Sequence, residues 1–432
     1  MLLPLHHHET HDRYFLCLGA GTNQLPLIRA AREMGHRVIA VDRDTLAPGF
    51  AHADLRIQCS ILKPGKIRRT LLENMIDGRI SGVTCRSPGG ANLSAALISR
   101  HFGTPALSMR ALRFFRNKRA MKESLRELGI LMPKSHAWNS IREKWNLLDA
   151  PLPLIARPAR SHGKLGIQLL KTREDLRRFL RRNPTDTGSF LVEEFIAGDE
   201  VTVLGLVYEG RYRPVCISDK IVSRTPPLFA EIAHRHPSKI SRPVELEINQ
   251  AMQRIVSAAG LESGPVVAEF IVNNRNEPHL VECVPEAGGE HIADVIAPAG
   301  SGLDYFQEMV RLSSRDLLHI EPEVCPDRTG KAVYIRYILQ REGRFRNLAF
   351  PERLRRHPGL VFARALKESG ERTSLEKGNL DRIAVFALEG PLHDVRNLER
   401  EAEQFAKETK IEYDRGVERA LPERKITTLL SR

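Results

Sequence analysis

No stretch of this 432-residue chain approaches the roughly 20 consecutive apolar residues that span a bilayer. The opening Met-Leu-Leu-Pro-Leu, followed by His6, His7 and His8, lacks both the basic start and the apolar core of a secretory signal. Residues 1–12 therefore read as a disordered lead-in. Cysteine is sparse: six residues, at 17, 59, 85, 216, 283 and 325, with no C-x-x-C pair. Several sit inside apolar runs, which fits reduced packing residues of a cytoplasmic protein. Internal repeats, low-complexity tracts and coiled-coil heptads are missing. What is there, 42% hydrophobic and 28% charged residues, is the composition of an ordinary folded protein. At this length roughly two to four lobes are expected.

The formal net charge of +13 raises nucleic acid as a partner. The basic residues are spread along helices such as 174–182, Glu-Asp-Leu-Arg-Arg-Phe-Leu-Arg-Arg, with no aromatic-plus-basic module. Diffuse charge of this kind is a solvated face, and steering of anionic nucleotide or carboxylate substrates is the simpler use.

Residues 13–116 alternate strands and helices. Strands are expected at 14–18, 37–41 and 80–85, with helices at 24–34, 66–76 and 91–102, forming a parallel doubly wound unit. Gly19-Ala-Gly21 after the first strand, with Asp42 ending the second, is half of a dinucleotide fingerprint. Gln24 stands where the third glycine belongs, so a tight turn is favoured over NAD binding. A helix over 117–128 should close at Gly129 in a left-handed cap. Strands follow at 153–158 and, around a Gly-Asp turn, within 189–208. Between them Arg160, His162 and Lys164, with Gly163 and Gly166, suit a flap whose amides and basic side chains cover phosphates. The spacing then predicts a strand over 213–218, an irregular segment holding Lys220, Glu231, His234 and His236, and a helix at 243–259. Strands near 332–339, 382–388 and 411–413 and a helix at 396–409 complete the chain.

Two carboxylates stand out. Val-Val-Ala-Glu269-Phe-Ile-Val and His-Leu-Val-Glu282-Cys-Val flank the polar turn Asn-Asn-Arg-Asn-Glu-Pro. A hairpin symmetric about Arg275 and Asn276 sets Glu269 directly opposite Glu282, where like charges repel. On this reading Val267, Ile271, Leu280 and Val284 share their face and offer no compensating dipole, so a cation should lie between them. Oxygen-only ligands favour Mg²⁺, with Mn²⁺ an acceptable substitute. From the hairpin alone, two solvent-facing edge glutamates remain the alternative.

Five segments in this order resemble the ATP-grasp superfamily, in the carboxylate–amine ligase branch that includes the L-amino-acid ligases and the biotin-carboxylase-like enzymes. They are Asn-Lys-Arg-Ala-Met-Lys, Pro-Leu-Ile-Ala-Arg-Pro, Phe-Leu-Val-Glu-Glu-Phe-Ile-Ala-Gly-Asp-Glu, Ala-Glu-Phe and Val-Glu-Cys-Val-Pro-Glu-Ala-Gly-Gly. Ser-Asp-Lys (218–220) and Ala-Glu-Ile-Ala-His-Arg-His-Pro-Ser (230–238) are similar to the amino-acid-ligase branch. The resemblance implies an α/β architecture: the N-terminal unit (13–116), linker helices and a small flap-bearing nucleotide lobe (117–205), a large lobe with the metal site (206–327) and a C-terminal α+β part (328–432). It further implies ATP held by Lys118, Arg157, Lys164, Glu193, Phe195, Ile196 and Glu200, with Mg²⁺ on Glu269 and Glu282. Within that list Glu193 would accept the adenine amino group and Glu200 would bind the ribose. A homodimer is compatible with it.

Three positions depart from the family pattern. Arg157 stands where lysine is usual, an exchange that is not neutral. Val284 replaces an asparagine often found on a second metal, and Glu286 replaces an arginine near the transferred phosphate. The implied chemistry is carboxylate activation by ATP to an acylphosphate, followed by amine attack, with Lys118, Arg157 and Glu286 at the reaction centre. Glu286 would face a cationic amine or serve as a metal ligand. Arg86 and Ser87, at the carboxyl end of a parallel strand, are candidate substrate contacts, and Glu231 could hold a substrate ammonium. A bicarbonate-using carboxylase and a nucleotide-binding regulator without catalysis are the rival readings.

Overall fold

Short, mainly apolar strands alternating with amphipathic helices build the N-terminal unit: β1 (Tyr14–Leu18), α1 (Leu25–Glu33), β2 (Arg37–Asp42), β3 (Leu55–Gln58), α2 (Pro64–Glu73), β4 (Ile80–Cys85) and α3 (Gly90–Phe102). Every residue of β1 and β4 is buried, as strands covered on both faces require. The sheet is parallel throughout, in the order β3-β2-β1-β4. Strand β3, with only one buried residue in four, carries no apolar run and was not expected. The structure is a computed structural model and describes residues 13–76, 79–87, 89–158, 165–187, 190–225, 229–315, 329–339, 342–414 and 416–419. The lead-in 1–12 and the flap residues Arg160, His162 and Lys164 lie outside the described residues.

Two linking helices follow, α4 (Met109–Arg116) and α5 (Lys118–Glu127). Asn117 caps α5 by accepting the Ala120 amide, and Gly129 takes the left-handed conformation expected of it (φ 72°). Next come β5 (Ser135–His136), α6 (Ile141–Asp149), β6 (Leu154–Pro158), β7 (Gln168–Leu170), α7 (Arg173–Arg182) and β8 (Phe190–Glu194). They make a small antiparallel sheet, β5-β8-β6-β7, over a core around Trp138 and Phe179.

The large sheet begins with β9 (Gly198–Tyr208), β10 (Arg211–Val222) and β11 (Glu231–His236), then α8 (Arg242–Ala259), β12 (Gly264–Asn273) and β13 (Pro278–Val284). Short α9 (Ala297–Ser301) and α10 (Tyr305–Ser313) lead to β14 (Lys331–Leu339), β15 (Gly343–Ala349), α11 (Glu352–Arg355), β16 (Leu360–Ala365), β17 (Arg372–Thr373), β18 (Arg382–Pro391), α12 (Val395–Glu408), β19 (Lys410–Tyr413) and β20 (Gly416–Arg419). Eight strands align as β13-β12-β9-β10-β11-β14-β18-β16, while β17-β15-β19-β20 form a separate sheet.

One face of β12 and β13 presents Val266, Ala268, Phe270, Val272, Leu280 and Cys283 to the buried stripe Val244, Ile248, Met252, Ile255 and Val256 of α8. Met252 and Ile255 are fully buried, and each contributes about 2 kcal/mol by leaving water. Period-two alternation then turns Glu269 and Glu282 to the opposite face. Gly198 is required where β9 meets β12, because a Cβ there would stand 2.2 Å from the Val272 carbonyl oxygen.

Two expectations are corrected. The segment after residue 218 is not irregular: β10 runs on through Lys220 to Val222, and Glu231, His234 and His236 lie in β11, whose six residues are all buried. Charged and imidazole side chains in a strand core hide the apolar signal that would mark it. The hairpin is also not symmetric about Arg275 and Asn276. Glu269 does pair with Glu282, but Phe270 pairs with Leu280, so Val281 bulges. Leu280 consequently joins the α8 core rather than the face of the glutamates.

Candidate active site

Two rows of side chains cross the large sheet on the face away from α8. Strand pairing sets Glu282, Glu269, Thr202 and Ser218 in one row and Ile271, Glu200, Lys220 and His234 in the next. All of these but Ser218, together with the small sheet, line a cleft of ≈ 850 Å³. Lys118, Arg157, Glu193, Phe195, Ile196, Glu200, Glu231, Glu269, Glu282 and Glu286 all border it, drawn from positions spread over 169 residues of chain (118 to 286, both included). Arg86 and Ser87 do not.

The charges on the cleft wall are paired one by one. Lys220, with a side chain 1% exposed, reaches Glu269 (2.6 Å), Glu231 (2.8 Å) and Glu200 (3.8 Å). Lys118 bonds Glu282. One helical turn on, Lys122 bonds Glu193, whose other oxygen accepts from Arg157 Nε (2.8 Å). Ser135 Oγ adds a further bond to Glu193 (3.1 Å). Burial raises the Glu193 carboxyl, but Arg157 and Lys122 outweigh it and hold it below the usual range. Burial lowers Lys122 to about 8 in spite of Glu193. Both Glu193 oxygens are thus engaged by the protein's own donors, so Glu193 anchors Lys122 and Arg157. The side chains of Glu269 and Glu282 are 25% and 31% exposed, which leaves oxygens open to the cleft. The expectation that nothing compensates this pair is corrected, because Lys220 and Lys118 already meet Glu269 and Glu282. The two facing carboxylates still offer oxygen donors of the kind a hard divalent cation such as Mg²⁺ takes.

Glu286 accepts the Gly89 amide (2.9 Å) just ahead of α3, tying the large lobe to the N-terminal unit. Burial raises its carboxyl, only partly offset by that amide. Arg86 is committed elsewhere: its guanidinium bonds Asp294 (2.7 Å) and the Asn23 carbonyl (2.9 Å) and lies over the Phe306 ring. Ser87 and the Arg86 carbonyl receive the Gln24 amide. Asp42 accepts the Ala20 and Asp44 amides, so it braces the Gly19–Gly21 turn.

Thr202, Lys220, His234 and Glu290 line the cleft but were not read from the sequence as site residues, nor was Lys122, which bonds Glu193. Lys122 was legible four positions after Lys118, on the same helix face. Thr202 was legible two positions after Glu200 on one strand face. His234 is 1% exposed, and burial pushes its imidazole down to about 4, so the ring is neutral at pH 7. Neither of its nitrogens has a hydrogen-bond partner among the described residues.

Residues 150–294 match the ATP-grasp domain family. Among curated proteins the chain is similar to alanine–anticapsin ligase of Bacillus amyloliquefaciens, 24% identical over 216 residues, 44% of this chain and 45% of that protein. It therefore spans under half the length of such relatives. Among solved structures it superposes on L-amino acid ligase from Bacillus licheniformis with a TM-score of 0.76 at 17% identity, covering 94% of this chain and 100% of that one. Phosphoribosylglycinamide synthetase from Anaerococcus prevotii gives 0.72 at 19% identity, covering 93% and 99%.

Proposed function

We propose that the protein is an ATP-dependent carboxylate–amine ligase that forms an acylphosphate and then an amide or peptide bond, releasing ADP and phosphate. The observation that carries this reading is the opposed pair Glu269 and Glu282 on one wall of a cleft that also holds Lys118, Arg157 and Lys220. In this reading Glu269 and Glu282 hold Mg²⁺, which neutralises phosphate charge when bound. Lys118 and Arg157 meet the phosphate oxygens, Glu193 keeps Arg157 and Lys122 in place, and the chain at Phe195 and Ile196 borders the base. Glu200 takes the ribose. Such chemistry needs water kept from the acylphosphate, which otherwise hydrolyses. A small acid and a small amine are the substrates, in line with the names of the amino-acid ligases above.

The deciding experiment is ADP release with MgATP, screened over pairs of amino acids, other carboxylates and amines, with a bicarbonate arm. Amine-dependent release supports the ligase, whereas release with bicarbonate alone makes it a carboxylase. Nucleotide binding with no turnover for any pair points to a regulatory protein.

A further inference from the structure

A second open cavity, of ≈ 680 Å³, lies in the C-terminal part where β15, β17 and β19 meet. Its lining includes Arg344, Arg372, Lys377, Glu342 and Asp414. Strand β17 is only two residues long, and its register sets Arg372 directly opposite Arg344 of β15. Opposed side chains share one face with Cβ atoms about 5 Å apart, and like charges there repel. Asp414 meets Arg344 (3.5 Å) but lies closer to Arg346 (2.6 Å), which draws on the same carboxylate. Neither Arg372 nor Lys377 makes a side-chain ion pair among the described residues. Three cations thus stand against Glu342 and an already shared Asp414. The loop that leaves β17 runs from this cavity to the cleft. Asp381, 1% exposed, accepts the Ser374 amide (3.0 Å) and hydroxyl (2.9 Å) and the Lys377 amide (2.6 Å). The Asn379 side chain accepts the Glu231 amide (2.8 Å) and lines the cleft. Arg382 donates to the Asn379 carbonyl (2.9 Å) and holds the Glu290 carboxylate in a paired hydrogen bond. Segment 374–382 is one hydrogen-bonded unit with an end in each cavity.

We propose that this second cavity binds a small phosphorylated ligand, and that its occupancy is transmitted to the cleft through segment 374–382. A phosphate carries up to two charges and presents oxygens to several donors at once. That suits two opposed guanidinium forks and an ammonium. A carboxylate matches one fork and leaves the other arginine facing its like. The volume lies within the roughly 300–1,000 Å³ of small-molecule sites. A ligand that draws on Arg372 and Lys377 pulls on a loop whose far end positions Glu231 and Glu290. Glu231 in turn shares Lys220 with Glu200 and Glu269, so the path ends on the charged wall of the cleft. The coupling is reciprocal: the factor by which the ligand changes nucleotide affinity is the factor by which nucleotide changes ligand affinity. Free phosphate and the phosphoryl group of an organic molecule share this chemistry. The site does not depend on which reaction the cleft performs.

The test is titration calorimetry on the intact protein with inorganic phosphate and with glycerol 3-phosphate, each without and with saturating MgADP. MgADP fills the cleft, so binding that persists belongs elsewhere. Tighter binding of glycerol 3-phosphate supports an organic phosphate as the ligand, and tighter binding of inorganic phosphate supports the free anion. Arg372→Ala is expected to weaken the tighter probe about tenfold or more. Its melting temperature without ligand should hold or rise, because the opposed charge is gone. Lys377→Ala should weaken the probe as well, which keeps the test decisive if Arg372→Ala folds poorly. Arg356→Ala, an exposed arginine outside the cavity, should leave binding unchanged. Bound probe should shift MgADP affinity by about fivefold, and Arg372→Ala should lose that shift. No binding by either probe overturns the proposal, and so does equal binding in wild type and both cavity variants. Binding lost in the variants with MgADP affinity unmoved by the probe keeps the site and overturns the transmission.

Discussion

The Arg157 guanidinium donates to the carbonyl of Val281 (3.1 Å), the residue that bulges out of β13. Its Nε meanwhile serves Glu193, so one planar fork joins the small sheet to the glutamate hairpin. Lysine carries its donors on one compact nitrogen instead of a planar fork, so it does not reproduce this bridge.

Arg157→Lys is therefore expected to lose one of these contacts and to destabilise the protein by about 1–3 kcal/mol, as measured by urea unfolding. An unchanged unfolding midpoint would show that the bridge contributes nothing in solution.

Glu282→Gln should abolish Mg²⁺-dependent nucleotide binding and cut ADP formation by about 100-fold or more, a loss of several kcal/mol of transition-state stabilisation. Its stability in EDTA should shift by under about 1 kcal/mol. The Lys118–Glu282 pair is partly exposed, so its loss is weak, and removing one of two opposed anions relieves repulsion. A large fall in melting temperature in EDTA would instead mark Glu282 as structural.

For Glu286→Gln the expected result is a raised KM for the amine with ATP affinity almost unchanged, since the amide oxygen can still accept the Gly89 N–H. Collapse of MgATP affinity would make Glu286 a metal ligand, and no effect would remove it from the reaction.

Asp294 gives a pH signature. Burial alone would raise its carboxyl, but the hydrogen bond with His291 and the charge of Arg86 outweigh burial and hold it well below the carboxylate range. A depressed carboxylate contributes stability above its unfolded value, about 4. That contribution is lost as pH falls through the folded value. Asp294→Asn should thus be destabilised at pH 7 and show a shallower loss of stability below about pH 4 than the wild type. Parallel acid limbs in the two proteins would refute this.

The doubly wound unit was legible because its interior strands carry apolar runs, Tyr14–Leu18 and the four residues 38–41, and the long helix α8 because its buried stripe repeats at helical spacing. The opposition of Glu269 and Glu282 was legible because side-chain parity survives an error in the turn. The bulge at Val281 was not: a one-residue insertion leaves apolar residues on both sides of it and changes no composition. Strand β11 was hidden for a different reason. Its sequence, Glu-Ile-Ala-His-Arg-His, looks soluble, yet all six residues are buried. Only partners distant in sequence, such as Lys220, Asp219 and Arg382, make such burial affordable.

Helix α5 carries Lys118 and Lys122 to carboxylates on two different sheets, one on β13 and one on β8. The two attachment points are one turn apart, about 6 Å along a stiff rod. A rod held at both points sets the spacing between the two carboxylates by helix geometry, so a change of one residue in the Lys118–Lys122 spacing would turn one ammonium away from its sheet.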